Sequence, residues 1–177
     1  MISDEYRKLN EQMHAEHPKF GVGGYKWAQV LLPVIKVYGA NTILDYGCGK
    51  GTLKPALRRH SPVQVFEYDP AVIEKSQPPG AADLVVCTDV LEHVEPEHIA
   101  AVLEHIQSVA RKGVFFNVGT APAEKTLADG RNAHISLHPA YWWFNLLTAY
   151  FDIDYFNVPD PRCVNISGRV KGALWNK

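Results

Sequence analysis

A glycine-rich turn early in the chain has the composition of a ligand-binding loop. It contains Asp45, Gly47, Gly49 and Gly51 in the pattern D-x-G-x-G-x-G, directly after an apolar segment. Glycine lets the backbone come close to a bound molecule, and the helix predicted after the turn offers unpaired N–H groups. The spacing excludes two ligand classes. A dinucleotide fingerprint starting at Gly47 requires glycine where Thr52 stands, and a P-loop requires serine or threonine where Gly51 stands.

The remaining pattern resembles motif I of the class I S-adenosylmethionine-dependent methyltransferases. Asp69 follows the second apolar segment, where this family has an acid that binds the ribose hydroxyls. Glu67 is the alternative ribose ligand, because strand alternation directs both side chains to the same face. The segment Asp83–Val94 resembles the DVLEHV signature of small-molecule methyltransferases in this class.

This resemblance implies S-adenosylmethionine as the cofactor and S-adenosylhomocysteine as the product. It implies that the end of the Asp83–Val94 strand lies beside the methionine moiety at the carboxyl edge of the sheet, and that Pro70 lies against the adenine. The residues implied to contact the cofactor are Asp45, Gly47, Cys48, Gly49, Gly51, Asp69, Pro70, Thr88, Asp89 and Val90.

The elements that must position these residues alternate between strands and helices. Four short apolar runs predict buried parallel strands at Thr42–Tyr46, Val63–Tyr68, Leu84–Thr88 and Val114–Val118. Helices are predicted at about 52–60, 96–111 and 139–149. An antiparallel hairpin of Asp152–Val158 and Val164–Val170 is predicted to end the chain. We therefore predict an α/β fold with a Rossmann-like, doubly wound and mostly parallel sheet.

Local signals refine these elements. Arg111-Lys112-Gly113 is typical of a helix end, so helix 96–111 is predicted to stop there. Pro33 predicts a kink or break in a helix over 25–38. Only 13 residues separate Asp69 from Asp83, too few for the helix, strand and adenine-contacting acid that the family usually has there. A loop or helical stub is expected, with a sheet shortened between the second and fourth strands of the family pattern and a more open adenine pocket.

The residues expected to handle a methyl acceptor lie in polar segments at the same sheet edge. His134 is a candidate general base or acceptor anchor, Arg131 a candidate partner for an anionic group, and Asp89 a third catalytic candidate. The alternative for His134 is a loop-bracing role. Glu92 and His93 either reach the active site or brace the loop that follows them.

The sequence predicts no metal site. His134 and His138 are four residues apart, but Pro139 adjoins the pair and an obvious third ligand is missing.

The first part of the chain is expected to be a helical segment that closes over the cofactor. The predicted domain covers 1–177, with this segment at 1–38 and the Rossmann-like core at 39–177. Tyr25, Lys26 and Trp27 are candidates for closing the site, with Gly23 and Gly24 as a hinge. A plain helix and loop is the alternative.

Composition narrows the class of function. A net charge of −1 with scattered basic residues argues against nucleic acid as a partner. We expect no membrane association, because no apolar run approaches about 20 residues, and three cysteines without a CxxC pair favour a cytoplasmic location. The leading prediction is a methyltransferase acting on a small-molecule or nucleotide-like acceptor. The alternatives are a non-catalytic cofactor-binding partner of another protein and a nucleic-acid or protein methyltransferase.

Overall fold

A six-stranded sheet organises the part of the chain that the structure describes. The computed structural model describes residues 2–172. The strands are β1 (Thr42–Tyr46), β2 (Gln64–Tyr68), β3 (Ala82–Thr88), β4 (Ala110–Gly119), β5 (Phe151–Asp160) and β6 (Cys163–Val170), in the order β2-β1-β3-β4-β6-β5. The first four strands are parallel, and β6 runs antiparallel to β4 and β5. The predicted mostly parallel α/β sheet with a C-terminal antiparallel hairpin is confirmed.

Helices cover both faces of this sheet. They are α1 (Asp4–Glu16), α2 (Ala28–Tyr38), α3 (Leu53–Leu57), α4 (Ile99–Val109) and α5 (Ala140–Thr148). Core residues of α4 and α5 pack on one face, and those of α2 and α3 pack on the other. In β3, Leu84 and Val86 face the second group while Val85 faces the first, and all three are fully buried. Burial on both faces explains why the strand is a continuous apolar run.

The interval after β2 is short in structure as well as in sequence. It holds a single 3₁₀ turn at Ile73–Lys75 before β3 begins. β2 is consequently an edge strand. The predicted helical stub and shortened sheet are confirmed.

The predicted end of the helix over 96–111 is wrong. A 3₁₀ turn at Pro96–His98 leads into α4, which stops at Val109, and β4 begins at Ala110. Ala110 pairs with Ala82 in the sheet, and the Lys112 ammonium donates to the Gly39 carbonyl at 2.6 Å. Residues 111–113, whose types are typical of a helix end, therefore belong to strand β4.

The predicted break at Pro33 is also absent, because α2 runs through it to Tyr38. Proline removes one backbone hydrogen bond, and the burial of Leu31 and Ile35 on either side holds the helix against the sheet. The predicted helix over 52–60 is shorter than expected, since α3 ends at Leu57.

Helix α1 lies apart from the two large clusters of the core. Its Tyr6 and Met13 form a small cluster with Leu127 and Ala133 from the loop between β4 and α5. Ser3 caps the helix and also donates through its N–H and Oγ to the carboxylate of Glu95, at 2.7 and 2.6 Å. Two segments distant in sequence thus form one layer beside the sheet edge.

Within the part of the chain that the structure describes, no helix combines the length and apolar character of a membrane span.

Candidate functional site

A cavity of about 650 Å³ lies at the carboxyl edge of the parallel strands. One side, here called the sheet wall, consists of residues 45–49, 69–71 and 88–90. The opposite side, here called the cover, consists of lining residues from 2–27 and 121–134. The volume lies within the range of about 300–1,000 Å³ that is typical of small-molecule sites.

The glycine turn forms the centre of the sheet wall. The N–H groups of Gly47 and Cys48 donate to the carbonyl of Tyr68, which ties the turn to the end of β2. Gly49 has a φ of 50°, and a Cβ there would lie 2.7 Å from the Cα of Gly21 in the cover. The glycine is required because two backbones touch at this point.

Asp69 is fixed by backbone donors at the end of β2. Its Oδ2 accepts from the N–H of Gly49 at 2.8 Å and its Oδ1 accepts from the N–H of Ala71 at 2.9 Å. A carboxylate has about four acceptor positions, so each oxygen retains one for a ligand. Glu67 does not line the cavity, and its carboxylate lies 3.5 Å from the Lys75 ammonium and 3.7 Å from that of Lys54.

Asp45 and Cys48 occupy the most enclosed part of the sheet wall. Burial, with the nearby charge of Glu67, raises the pKa of Asp45 to about 7. Burial likewise raises the pKa of the Cys48 thiol well above its ordinary value, so the sulfur is not a nucleophile.

The end of β3 carries the link between sheet wall and cover. Asp89 has a φ of 57°, a conformation that side chains rarely adopt, and its N–H donates to the carbonyl of Asn117. Its carboxylate lies 2.9 Å from the ammonium of Lys26. The unusual backbone turns the side chain toward the cover, where the ion pair joins it to the N-terminal segment.

Two histidines and a glutamate meet where the cover reaches the end of the signature segment. His93 Nδ1 is bonded to the carbonyl of Ala133 at 2.8 Å, and His134 Nδ1 to the carbonyl of Ala121 at 2.6 Å. The ring centroids of the two histidines are 4.7 Å apart in an edge-to-face arrangement. Glu92 is fully buried beside them, and its Oε1 accepts from the N–H of Gly119. His93 lines the cavity, and its side chain is bonded to the loop between β4 and α5 instead of the loop that directly follows it.

Most of the predicted site residues converge on this cavity. Those that line it are Asp45, Gly47, Cys48, Gly49, Asp69, Pro70, Thr88, Asp89, Val90 and His134. Gly51 and Arg131 do not. A Cβ at Gly51 would collide with Glu67, so that glycine serves the turn itself. The Arg131 guanidinium is paired with Asp129 at 2.7 Å and lies over the Tyr6 ring, but Arg131 itself does not line the cavity.

The N-terminal segment contributes more than the sequence indicated. Lys26 and Trp27 line the cavity as expected, whereas Tyr25 is 65% exposed and does not. Tyr6, Asn10 and His14 of α1 also line it, and no motif marks them. Their spacing of four residues, which places them on one helix face, is the signal that could have identified them.

The profile of the methyltransferase domain family matches residues 7–149. The chain belongs to the methyltransferase family. Its predicted family and its predicted enzyme class are therefore confirmed. No match was found among curated proteins.

Several solved structures resemble this methyltransferase in fold. One is magnesium protoporphyrin IX methyltransferase from Synechocystis PCC 6803 with bound SAH, with a TM-score of 0.61 and 17% identity over 85% of this chain and 84% of that one. Another is a Burkholderia thailandensis 1,6-didemethyltoxoflavin-N1-methyltransferase with bound 1,6-didemethyltoxoflavin and S-adenosylhomocysteine. Its TM-score is 0.66 at 14% identity, over 96% of this chain and 91% of that one. The predicted Rossmann-like methyltransferase fold is confirmed by these similarities.

Proposed function

We propose that this methyltransferase binds S-adenosylmethionine along the sheet wall and transfers its methyl group to a small-molecule acceptor held under the cover. The observation that carries the proposal is the single continuous cavity that connects the glycine turn and Asp69 with His134. Both structural neighbours described above contain S-adenosylhomocysteine, the demethylated product.

The sheet wall supplies the groups that a nucleoside with a ribose diol requires. Asp69 accepts two backbone hydrogen bonds and keeps further acceptor positions for the two ribose hydroxyls. Pro70 and Ala71 line the cavity directly beside it and offer an apolar surface to the adenine. Gly47 is required in the turn because its φ is 76° and a Cβ there would collide with the Val90 side chain.

The other end of the sheet wall suits the methionine moiety. Asp45 lines the cavity beside the turn, and a carboxyl group there can pair with an ammonium group. Thr88, Asp89 and Val90 continue the wall toward the cover. The Lys26–Asp89 ion pair joins this end of the wall to the N-terminal segment.

The cover provides the acceptor side of the proposed reaction. The Nδ1 of His134 carries a hydrogen, because a carbonyl oxygen can only accept, so Nε2 has a free lone pair in the neutral ring. That nitrogen is suited to anchor an acceptor hydroxyl or to take its proton. Arg131 has no place in this arrangement, because Asp129 neutralises it outside the cavity lining.

Bound S-adenosylmethionine supplies a methyl group on a sulfonium, and its transfer is an in-line displacement. The protein's contribution is to align the two partners and exclude water. Asp69 and the turn fix one partner, and the cover fixes the other. A small acceptor is favoured because the cavity, at about 650 Å³, has the size of a small-molecule site. The free cysteines are compatible with a reducing cytoplasm, and we propose that residues 1–177 act as one domain.

Calorimetry with S-adenosylmethionine and S-adenosylhomocysteine, with NAD as the control, tests the proposal directly. We expect both sulfur compounds to bind and NAD not to bind. Mass spectrometry should then detect formation of S-adenosylhomocysteine in the presence of a small-molecule acceptor library. Failure of both sulfur compounds to bind would refute the proposal, and binding without turnover on any acceptor would favour a non-catalytic cofactor-binding module.

A further inference from the structure

Glu92, His93 and His134 form a cluster with the geometry of an incomplete metal centre. One ligand atom from each residue lies within 4.8 Å of the others. Glu92 is fully buried and does not line the cavity, whereas both histidines do. In the sequence, His134 and His138 were the only pair with a spacing that suggests a metal site. In the structure, His134 instead lies beside His93 and Glu92, which precede it by 41 and 42 residues.

The hydrogen bonds of the two histidines prepare them as ligands. Each Nδ1 is bonded to a backbone carbonyl, so each ring carries its hydrogen on Nδ1 and keeps the lone pair on Nε2. Histidines that bind metals usually donate their other ring N–H to a carbonyl or carboxylate, which fixes the ring and makes the ligand nitrogen more basic. Ala133 and Ala121 provide those carbonyls here.

Glu92 provides an unsatisfied ligand atom. Its Oε1 accepts from Gly119, whereas its buried Oε2 has no hydrogen-bond partner among the described residues. An unpaired buried carboxylate oxygen is costly unless a cation or donor meets it.

We propose that Glu92, His93 and His134 bind a divalent transition-metal ion of the zinc type at the acceptor side of the cavity. Imidazole nitrogens combined with a carboxylate suit zinc and neighbouring first-row ions, whereas magnesium and calcium prefer oxygen ligands. Three protein ligands leave at least one position of the ion open. The two histidines line the cavity, and an acceptor oxygen entering there can occupy that position.

This second part of the inference rests on the proposed function and narrows its substrate class. An acceptor that binds through the ion must present a donor atom, such as a hydroxyl, phenol or carboxylate oxygen, close to the methylated atom. His134 then anchors the acceptor through the ion instead of acting as a general base, because its Nε2 lone pair is used for the metal.

The test uses the full chain, without a purification tag and freed of metal by a chelator. We expect titration with Zn²⁺ to give one binding event per chain by calorimetry and to raise the midpoint of thermal unfolding. Co²⁺ should give visible absorption bands of an ion with nitrogen and oxygen ligands. S-adenosylhomocysteine is titrated separately into the same metal-free protein, so failure of the metal site and failure of the cofactor site are distinguished.

Matched variants assign the ligands. Loss of a hydrogen-bond partner of a metal ligand typically weakens metal binding by roughly 10–100-fold. His134→Gln removes a ligand itself, so it should weaken zinc binding by more than that. His138→Gln is the control, because His138 lies in the same segment but stacks on Trp142 outside the cluster. Glu92→Gln keeps an acceptor for the Gly119 N–H and should also weaken zinc binding, and its unfolding transition in chelator confirms that it folds. Absence of zinc binding to the wild type, or equal binding by wild type, His134→Gln and Glu92→Gln, would overturn the proposal.

Discussion

The sheet wall and the cover of the cavity are held by contacts of different range. Within the sheet wall, Asp69 bonds to Gly49, 20 residues away, across two neighbouring parallel strands. The cover depends on Ser3 reaching Glu95, 92 residues away, and on Lys26 reaching Asp89. The first kind of contact follows from a motif and the sheet order. The second kind exists only after the whole chain has folded.

This difference predicts where substitutions act. Changes in the sheet wall alter a buried, rigid surface and should have large effects on stability or cofactor affinity. Changes in the cover act on single contacts between segments, of which the Lys26–Asp89 pair is half exposed, and should have smaller effects. Four substitutions, in order of decreasing expected effect, test that contrast.

Asp45→Asn tests how strongly burial of the Asp45 carboxyl group in the sheet wall destabilises the folded protein. The folded protein keeps a proton on Asp45 up to a pKa of about 7, whereas the unfolded chain loses it near the ordinary value of 3.8. Asp45 therefore destabilises the fold increasingly as the pH rises through this window. We expect the variant to exceed the wild type in free energy of unfolding by up to about 4 kcal/mol at pH 8, since each pH unit corresponds to about 1.4 kcal/mol, and to match it near pH 4.

Chemical denaturation at pH 4, 6 and 8 measures this effect. Asp152→Asn, on the exposed side of β5, is the control. A variant of Asp45 that loses stability by the same amount at every pH would contradict the explanation.

Asp69→Asn should weaken binding of S-adenosylhomocysteine by about 10–100-fold. Hydrogen bonds to a charged group contribute about 1.5–3 kcal/mol, and the amide cannot satisfy both backbone donors and the ribose hydroxyls. Glu67→Gln is the matched control, because that side chain does not line the cavity. Calorimetry measures both. A larger loss for Glu67→Gln would show that the ribose ligand is Glu67.

Ser3→Ala tests the attachment of the cover. It removes the cap of α1 and one of the two hydrogen bonds to Glu95, so we expect a loss of about 0.5–2 kcal/mol in the free energy of unfolding. Ser108→Ala provides the comparison, because the Ser108 hydroxyl is exposed and bonds only within its own helix. Equal losses for the two variants would mean that α1 is not held by this contact.

Lys26→Gln should have the smallest effect. Its ion pair with Asp89 is half exposed, and such pairs contribute about 0.2–1 kcal/mol. We expect a weakening of S-adenosylhomocysteine binding of at most about fivefold, reduced further by added salt. Lys36→Gln, at an exposed position of α2, controls for the change in net charge. A loss as large as that of Asp69→Asn would remove the distinction between sheet wall and cover.

The same distinction explains how much the sequence could predict. Strand β1 was located to the residue, and nine of the ten residues implied to contact the cofactor line the cavity. These residues follow strands whose apolar pattern is strong, and the carboxyl ends of parallel strands meet at one edge. Gly51 lies outside the cavity lining. In sequence, a glycine that the turn requires cannot be distinguished from one that lies against a ligand.

The rest depended on pairings that have no sequence signature. Arg131 looked available for an acceptor, but Asp129 lies two residues away and takes its charge. The types of residues 111–113 are those of a helix end, and the sequence does not reveal that this segment pairs with β3. Tyr6, Asn10 and His14 enter the cavity only because α1 docks on the loop over 121–134.

The contact between Gly21 and Gly49 has a consequence for how this protein can change over time. The two backbones touch, and the Lys50 N–H donates to the Gly21 carbonyl at 2.8 Å. A side chain at Gly49 would displace Gly21, and one at Gly21 would collide with the His14 ring and press on the Gly49 Cα, so a substitution at either position disturbs the contact. A chimaera that exchanges the N-terminal segment with that of another methyltransferase can keep this turn only if the incoming segment brings its own glycine to position 21.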